Sequence, residues 1–335
     1  MVAPPEFPLP LDTEPMEART TEALPQTGGP WQYEPKWDGF RCLAFKSGQK
    51  VRLLAKSGKD LGRYFPEMVA HLKEVKLDEF VLDGELVVII DGKPEFDALQ
   101  MRLHPAESRI RKLSLATPAK FTVFDILADE TGAVLLDRPL RQRRKALERI
   151  ARPMQSDSWL GISPATSDAH EAQTWLDASG NGATDGVVAK LLDAPYTPGE
   201  RTMLKVKRIR TADCVVGGFR YRAGTRLVGS LLLGLYDAAG MLNHVGFTSM
   251  IAASEAPALT RKLEALEGEG FTGRSPGGPS RWSTEKSSQW QPLRPELVAE
   301  VKFDHVTNDR FRHGTRFVRW RPDKAPRQCT FEQIR

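Results

Sequence analysis

Long hydrophobic runs are missing from this sequence. The longest, Val87-Val88-Ile89-Ile90 and Ser230-Leu231-Leu232-Leu233, fall far short of the roughly 18 apolar residues that span a bilayer, so no transmembrane helix and no membrane partner are expected. Cysteine is scarce. Cys42, Cys214 and Cys329 stand far apart, with no C-x-x-C pair and no histidine cluster beside them, which argues against a disulfide framework and a structural zinc site. The start, MVAPPEFPLPLDTEP, lacks the basic and apolar regions of a signal peptide, and the expected location is the cytoplasm. There is no large excess of one charge either: 48 Lys plus Arg against 43 Asp plus Glu gives +5. That is a mild tilt toward a polyanionic partner, so where the basic residues lie matters more than their number.

Several common motifs are also absent. Ser57-Gly58-Lys59-Asp60 lacks the upstream glycine and the hydroxyl of a phosphate-binding loop, and Gly180-Asn181-Gly182 meets its next glycine only at Gly186, which breaks the dinucleotide fingerprint. H-E-x-x-H and G-x-S-x-G do not occur, and no repeat of solenoid length is visible.

What is present is a globular composition, 40% hydrophobic and 27% charged, on 335 residues, enough for about two domains. Residues 1–28, rich in Pro, Thr and Glu without an apolar period, predict a flexible N-terminal arm. Strands are expected over 40–45 and 51–54 around a Ser47-Gly48-Gln49 turn, and over 80–90, 121–127, 186–191 and 203–207. Helices are expected over 66–72, 139–150 and 169–178, the last opened by Asp168 with Glu171 three residues on. Together, 29–208 form an α+β domain. From 209 to 335 the texture is short strands (213–221, 230–236, 241–247, 296–303, 315–321), one helix (259–266) and a Gly/Pro/Ser loop over 273–280. That order fits an OB-type β-barrel, a fold that often binds nucleic acid.

The stretch Glu34-Pro35-Lys36-Trp37-Asp38-Gly39-Phe40-Arg41 sets a lysine among two carboxylates and an arginine, with Gly39 leaving room for backbone to approach a ligand. A lysine turns nucleophilic when desolvation or neighbouring cations lower its pKa from about 10.4, each unit worth about 1.4 kcal/mol. The site must supply that charge, from Arg41 or a metal. By pattern alone, the same residues read equally as a surface hairpin with ordinary ion pairs.

Lys36-x-Asp38-Gly39-x-Arg41 resembles motif I of the covalent nucleotidyltransferases, the superfamily of ATP-dependent DNA ligases, RNA ligases and mRNA capping enzymes. Five further stretches follow in that family's order. Phe80-Val81-Leu82-Asp83-Gly84-Glu85-Leu86 resembles motif III, with Asp83 and Glu85 on one strand face. Phe121-Thr122-Val123-Phe124-Asp125-Ile126-Leu127 resembles motif IIIa, with Phe124 where the family stacks a ring on the base. Asp185-Gly186-Val187-Val188-Ala189-Lys190 resembles motif IV. Leu204-Lys205-Val206-Lys207 resembles motif V, its alternation turning both lysines one way and Leu204 and Val206 to the core. Arg321-Pro322-Asp323-Lys324 resembles the R-x-D-K of motif VI. The wording of Phe96-x-x-Leu99-Gln100-x-Arg102, of Cys214-Val215-Val216-Gly217-Gly218-Phe219-Arg220 and of Arg312-His313-Gly314-Thr315-Arg316 is similar to the stand-alone bacterial ATP-dependent DNA ligases of LigC type. The resemblance covers nearly everything after residue 30.

It implies an adenylyltransferase (ATP-grasp-like ligase core) domain followed by an OB-fold domain that swings about 207–211. It implies that Lys36 attacks the α-phosphate of ATP to form lysyl-AMP, and that AMP passes to the 5′-phosphate of a DNA nick before the 3′-OH seals it. By the same resemblance Glu34 contacts adenine, Asp38 positions the nucleophile, and Arg41 binds ribose or phosphate. Lys56 stands where the family often has an arginine, keeping the charge without the bidentate fork. Glu85 meets the ribose or a metal. Asp185, where the family more often has Glu, holds Mg²⁺ or Mn²⁺. Lys190, Lys205 and Lys207 bind the nucleotide, the last two neutralising the α-phosphate, and Arg321, Asp323 and Lys324 close over the triphosphate. Without a four-cysteine zinc site, ATP is expected rather than NAD. The implied partner is nicked or gapped duplex DNA, met by a monomer in repair, with repair polymerases as candidate partners. The basic run Arg310, Arg312, Arg316, Arg319, Arg321, Lys324 and Arg327 is expected to give the barrel a phosphate-contacting face. A GTP-using capping enzyme, an RNA ligase and a non-catalytic nucleic-acid-binding scaffold stay open as alternatives.

Overall fold

The computed structural model describes residues 6–157, 159–180, 184–249, 252–277 and 289–335; Asn181, Gly182 and the end of the expected 273–280 loop lie outside the described residues. The chain divides into Met1–Arg208 and Ile209–Arg335. In the first unit the strands are β1 (Ala18–Thr20), β2 (Trp31–Trp37), β3 (Phe40–Ser47), β4 (Lys50–Ala55), β5 (Glu79–Ile90), β6 (Lys93–Pro94), β7 (Ala119–Ala128), β8 (Leu160–Ile162), β9 (Thr184–Leu191) and β10 (Met203–Lys207). Its helices are α1 (Pro66–Glu74), α2 (Phe96–Met101), α3 (Glu107–Ala116), α4 (Leu140–Ala151) and α5 (Ala169–Ala178). They build two sheets, ordered β4-β3-β5-β7-β8 and β1-β10-β9-β2.

The larger sheet is covered on both faces, and side-chain alternation sorts its residues between them. Cys42, Ala44, Phe80, Leu82, Phe121 and Val123 pack under Met68 and Leu72 of α1 and Leu147 and Ile150 of α4. Leu43, Phe45, Val81 and Leu127 face the other way and meet Phe7, Leu9 and Met16. The N-terminal segment is therefore not a flexible arm over its described residues. Phe7, Leu9 and Met16 are at most 7% exposed, each worth about 1.5–3 kcal/mol of burial, and β1 adds a parallel strand to β10. Its apolar residues follow no period because a proline-rich extended chain fills a sheet face without forming a helix or long strand of its own.

Helices α2 and α3 were not anticipated, since α3 buries only Ile110 and Ser114 and leaves Leu115 86% exposed, too weak a stripe to read as a helix. What ties α2 down is a charged residue. Arg102, fully buried, donates to the Tyr64 carbonyl and to Glu67, each at 2.8 Å, and its guanidinium lies 4.8 Å from the centre of the Phe65 ring.

The second unit contains β11 (Arg210–Tyr221), β12 (Val228–Tyr236), β13 (Leu242–Thr248), α6 (Ala256–Glu264), β14 (Gln291–Pro292), β15 (Val298–Phe303), β16 (Val306–Thr307), β17 (Arg310–Phe311) and β18 (Arg316–Trp320). Its main sheet runs β13-β12-β11-β15-β18 around a core that includes Cys214, Val216, Leu231, Leu233, Val245 and Val301. Three antiparallel strands, a helix and two more strands follow the order expected of an OB-type barrel. The ladder does not close all the way round: β13 and β18 approach through one parallel bridge, Thr248 to Thr315, with the Thr248 hydroxyl donating to the Thr315 carbonyl at 3.0 Å.

Candidate active site

Lys36 lies in β2 at a break in register. Pro35 pairs with Val187 and Trp37 with Thr184, so two residues of β9, Asp185 and Gly186, stand opposite Lys36 alone. Such a bulge re-aims a side chain, and here it brings the Asp185 carboxylate 2.7 Å from the Lys36 ammonium. Gly186 is required: its φ is +153°, and a Cβ there would come 2.0 Å from the Val206 carbonyl oxygen of β10. Across the same carboxylate Lys207 approaches to 3.3 Å. Lys205 stands on the same face of β10, while Leu204 and Val206 are buried. The Lys205 ammonium has its pKa lowered, by burial first and then by Lys36, Lys207 and Lys56. Four lysines therefore repel one another here, which favours the entry of an anion.

A cavity of about 240 Å³ opens beside Lys36 between the two sheets, lined by Glu34, Arg41, Lys56, Glu85, Phe124, Lys190 and Lys205 among others. Glu34 and Lys190 are diagonal neighbours on β2 and β9, paired at 2.9 Å and nearly buried, and Gln32 also donates to Glu34 at 2.7 Å. The Phe124 ring has the Lys190 ammonium 4.6 Å and the Arg41 guanidinium 4.4 Å from its centre. An aromatic face, an acceptor and cations in one cleft are what a purine nucleotide needs.

Arg41 sits opposite Glu85 and diagonal to Asp83 on β5, and chooses Asp83, donating to both carboxylate oxygens at 2.5 Å. Burial would weaken its charge, but Asp83 more than offsets this and holds the guanidinium firmly protonated. Asp83, fully buried, also accepts from the Tyr196 hydroxyl at 2.7 Å, which in turn accepts from the Met16 N–H at 2.9 Å. Asp83 thus orients Arg41 within the protein and does not share the exposure of Glu85. The Glu85 carboxyl is pushed up to about 7 by burial, with Arg41 and Lys36 opposing and Asp83 and Asp38 adding to the rise. Gly39 corrects a sequence expectation. A Cβ there would lie 2.2 Å from the Leu86 carbonyl oxygen, so its close approach is to β5 and not to a ligand.

Sequence reasoning missed several residues around this cavity. Met16, Pro15, Glu17 and Ala18 form one wall. Glu17 pairs with Lys56 at 2.8 Å and Arg201 at 3.4 Å, and its carboxyl is held below the usual range, foremost by the Lys56 hydrogen bond. Next to Phe124, Asp125 is clamped by Arg143 of α4 at 2.8 and 3.0 Å, both side chains about 1% exposed. No local pattern flags Tyr196 or Arg143, because their partners lie 113 and 18 residues away.

The remaining expected residues belong to the second unit and cluster around Asp213. Arg321 donates to both Asp213 oxygens at 2.9 and 3.0 Å and to Asp323, and Lys324 reaches Asp213 at 2.9 Å. Two more residues of the expected basic run have partners of their own: Arg319 bonds Glu300 at 2.6 Å, and Arg327 donates to the Gly240 carbonyl at 2.8 Å.

For a divalent metal, no group of three or more His, Cys, Asp or Glu side chains among the described residues forms a cage. Glu85 and Asp185, both beside Lys36, fit the other way of holding Mg²⁺, by one or two carboxylates together with substrate phosphates.

Comparison with known proteins decides the family. The ATP dependent DNA ligase domain matches residues 14–207, and the ATP dependent DNA ligase C terminal region matches 224–324. The chain belongs to the ATP-dependent DNA ligases. It is 43% identical over 338 residues to DNA ligase C1 of Mycolicibacterium smegmatis, covering 98% of this chain and 95% of that one. It is 39% identical over 349 residues to DNA ligase C of Mycobacterium tuberculosis, covering 98% and 95%. Among solved structures, a mycobacterial DNA ligase D complexed with ATP and MES is similar at a TM-score of 0.50 and 28% identity, covering 96% of this chain and 98% of that one. No helix among the described residues of this ligase is long and apolar enough to cross a membrane.

Proposed function

We propose that this ATP-dependent DNA ligase seals 5′-phosphate/3′-OH nicks in duplex DNA through an adenylate on Lys36. The observation that carries this is the bulge that sets Lys36 beside Asp185, Lys205 and Lys207 at the edge of a cavity lined by Glu34, Phe124 and Lys190. In the first step the Lys36 ammonium loses a proton, for which Asp185 Oδ1 at 2.7 Å is the acceptor at hand. The freed Nζ attacks the α-phosphorus of ATP; a P–N bond forms, the bond to the β-phosphate oxygen breaks, and pyrophosphate leaves. Lys205 and Lys207 offset the charge that builds on the α-phosphate. Glu34 and Lys190 read the base, Phe124 packs against it, and Arg41, fixed by Asp83, binds the sugar or phosphate. Glu85 and Asp185 would hold a divalent ion, which supplies charge neutralisation to the phosphates when bound.

In the second step an oxygen of the nick 5′-phosphate attacks the AMP phosphorus and Lys36 departs, regaining a proton. The DNA 3′-OH then attacks the 5′-phosphate, AMP leaves, and the phosphodiester is complete. Lys56 and Asp38 serve the nick in this reading, and Arg321, Asp323 and Lys324 serve the triphosphate. A gel assay on a labelled nicked duplex with ATP tests it: wild type converts the nick to full-length strand, and Lys36→Ala gives none. Sealing by Lys36→Ala at the wild-type rate would refute the covalent route.

A further inference from the structure

Within the second unit, the His244 side chain on β13 is 4% exposed, and its Nδ1 lies 3.2 Å from a guanidinium nitrogen of Arg310 on β17. A guanidinium can only donate, so Nδ1 accepts and the imidazole proton sits on Nε2, which has no hydrogen-bond partner. The His244 backbone N–H donates to the Arg274 carbonyl at 2.8 Å. The Arg274 guanidinium in turn donates to the carbonyls of Asn308 and Asp309, at 3.4 and 3.2 Å. Those two residues have φ of 50° and 58° and form the tight turn between β16 and β17. Arg274 therefore braces the turn that presents Arg310, while Phe311, its neighbour on β17, packs against Phe303 at 4.8 Å.

One guanidinium, that of Arg310, is thus fixed on the ring and a second, that of Arg274, on the turn beside it; His244 is pushed down to about 3 by burial and then by Arg310, Arg220 of β11 and Arg274. The imidazole stays neutral and serves to hold Arg310. Among the described residues neither Arg274 nor Arg310 forms an ion pair with a carboxylate, in contrast to Arg319, Arg321 and Lys324. Like charges braced together without an acid between them are relieved by an anion, and forked guanidiniums suit phosphate oxygens. Both side chains are exposed, which suits a polymer laid across them better than a small ion enclosed in a pocket.

We propose that Arg274 and Arg310, held by His244, grip one phosphate of the DNA backbone. The proposal rests on the nick-sealing reading. It takes Arg310 from the basic run expected in the sequence and joins it to Arg274, which lies outside that run, and to His244 of β13.

The test is fluorescence-anisotropy binding of a labelled nicked duplex across a salt series, with wild type, Arg274→Ala/Arg310→Ala and Arg274→Lys/Arg310→Lys, checked for equal thermal midpoints. A lost phosphate contact lowers the slope of log K against log salt by roughly 0.9 and affinity roughly ten-fold in the alanine pair. The lysine pair keeps most of the slope and loses part of the affinity. Unchanged slope and affinity in the alanine pair would overturn the site. A second arm measures stabilisation by pyrophosphate alone. If the alanine pair loses that stabilisation while binding DNA normally, the site takes a free anion and the DNA assignment is overturned. Failure of wild type to bind the duplex at all would instead count against the nick-sealing reading.

Discussion

Glu85 combines a strand position lining the cavity beside Lys36 with an environment that resists its charge. Its ordinary value is 4.5 and it is pushed up to about 7, burial being the largest cause. The native protein therefore holds this proton more tightly than the unfolded chain does. The sign follows: below the unfolded value the group adds no pH dependence, and stability falls as pH rises from 4.5 to 7. The loss is of order 1–3 kcal/mol for the nucleotide-free protein and persists at higher pH. Thermal midpoints measured against pH, taken as wild type minus Glu85→Gln, should fall from pH 4.5 to 7; buried His244, pushed down to about 3, contributes the opposite slope to both proteins and cancels in that difference. A difference that stays flat or rises through that window would contradict the assignment. Lys205 and Lys207 were legible in the sequence because they lie on a strand whose period of two is explicit, with Leu204 and Val206 turned the other way, whereas Lys36 was legible through the Lys36-x-Asp38-Gly39-x-Arg41 motif. Tyr196 was not, since its contact with Asp83 spans 113 residues and nothing local marks it.

The elements that carry the site are held by a few buried polar contacts. Asp125 on β7 and Arg143 on α4 form a two-pronged pair about 1% exposed, and Arg143 also donates to the Arg138 and Ala194 carbonyls at 2.6 and 3.2 Å. This one residue joins α4 to the strand that bears Phe124 and to the segment that leads to Tyr196. Removing one partner strands a buried charge, so Asp125→Ala should lose about 3–5 kcal/mol in urea unfolding. Asp125→Leu with Arg143→Met should lose less than that single change, and an equal or larger loss would show that packing rather than charge decides the joint. At this scale, β3, β4, β5, β7, β9, β10, α1, α4 and α5 followed from alternation, apolar spacing and caps such as Asp168, whose side chain accepts from the His170 N–H, whereas β1, β2, β6, β8, α2 and α3 did not. The bulge opposite Lys36 did not, because register is set by pairing between β2 and β9 and not by either strand alone. The N-terminal segment failed as a prediction for a related reason: Phe7, Leu9 and Met16 bury themselves on a sheet whose existence no local window reveals.

At the scale of the molecule, two units each match a part of the ATP-dependent ligase family, and the motifs are divided between them. The first carries Lys36, its counter-charges and the cavity beside it. The second carries Arg321 and Lys324, both engaged by Asp213, and the Arg274–Arg310 pair. The order of motifs along the chain was readable before any fold was known, because each is a short contiguous stretch with its own chemistry. Which acids neutralise which bases in the second unit was not, since Asp213 and Arg321 are 108 residues apart. The account as a whole turns on one covalent bond. Intact-protein mass spectrometry after incubation with ATP and Mg²⁺, with pyrophosphate pretreatment to strip any AMP already bound, tests it directly. The account predicts a single AMP adduct on wild type, mapped to Lys36 and absent from Lys36→Ala. A GMP adduct from GTP in its place, or an AMP adduct that survives in Lys36→Ala, would contradict it.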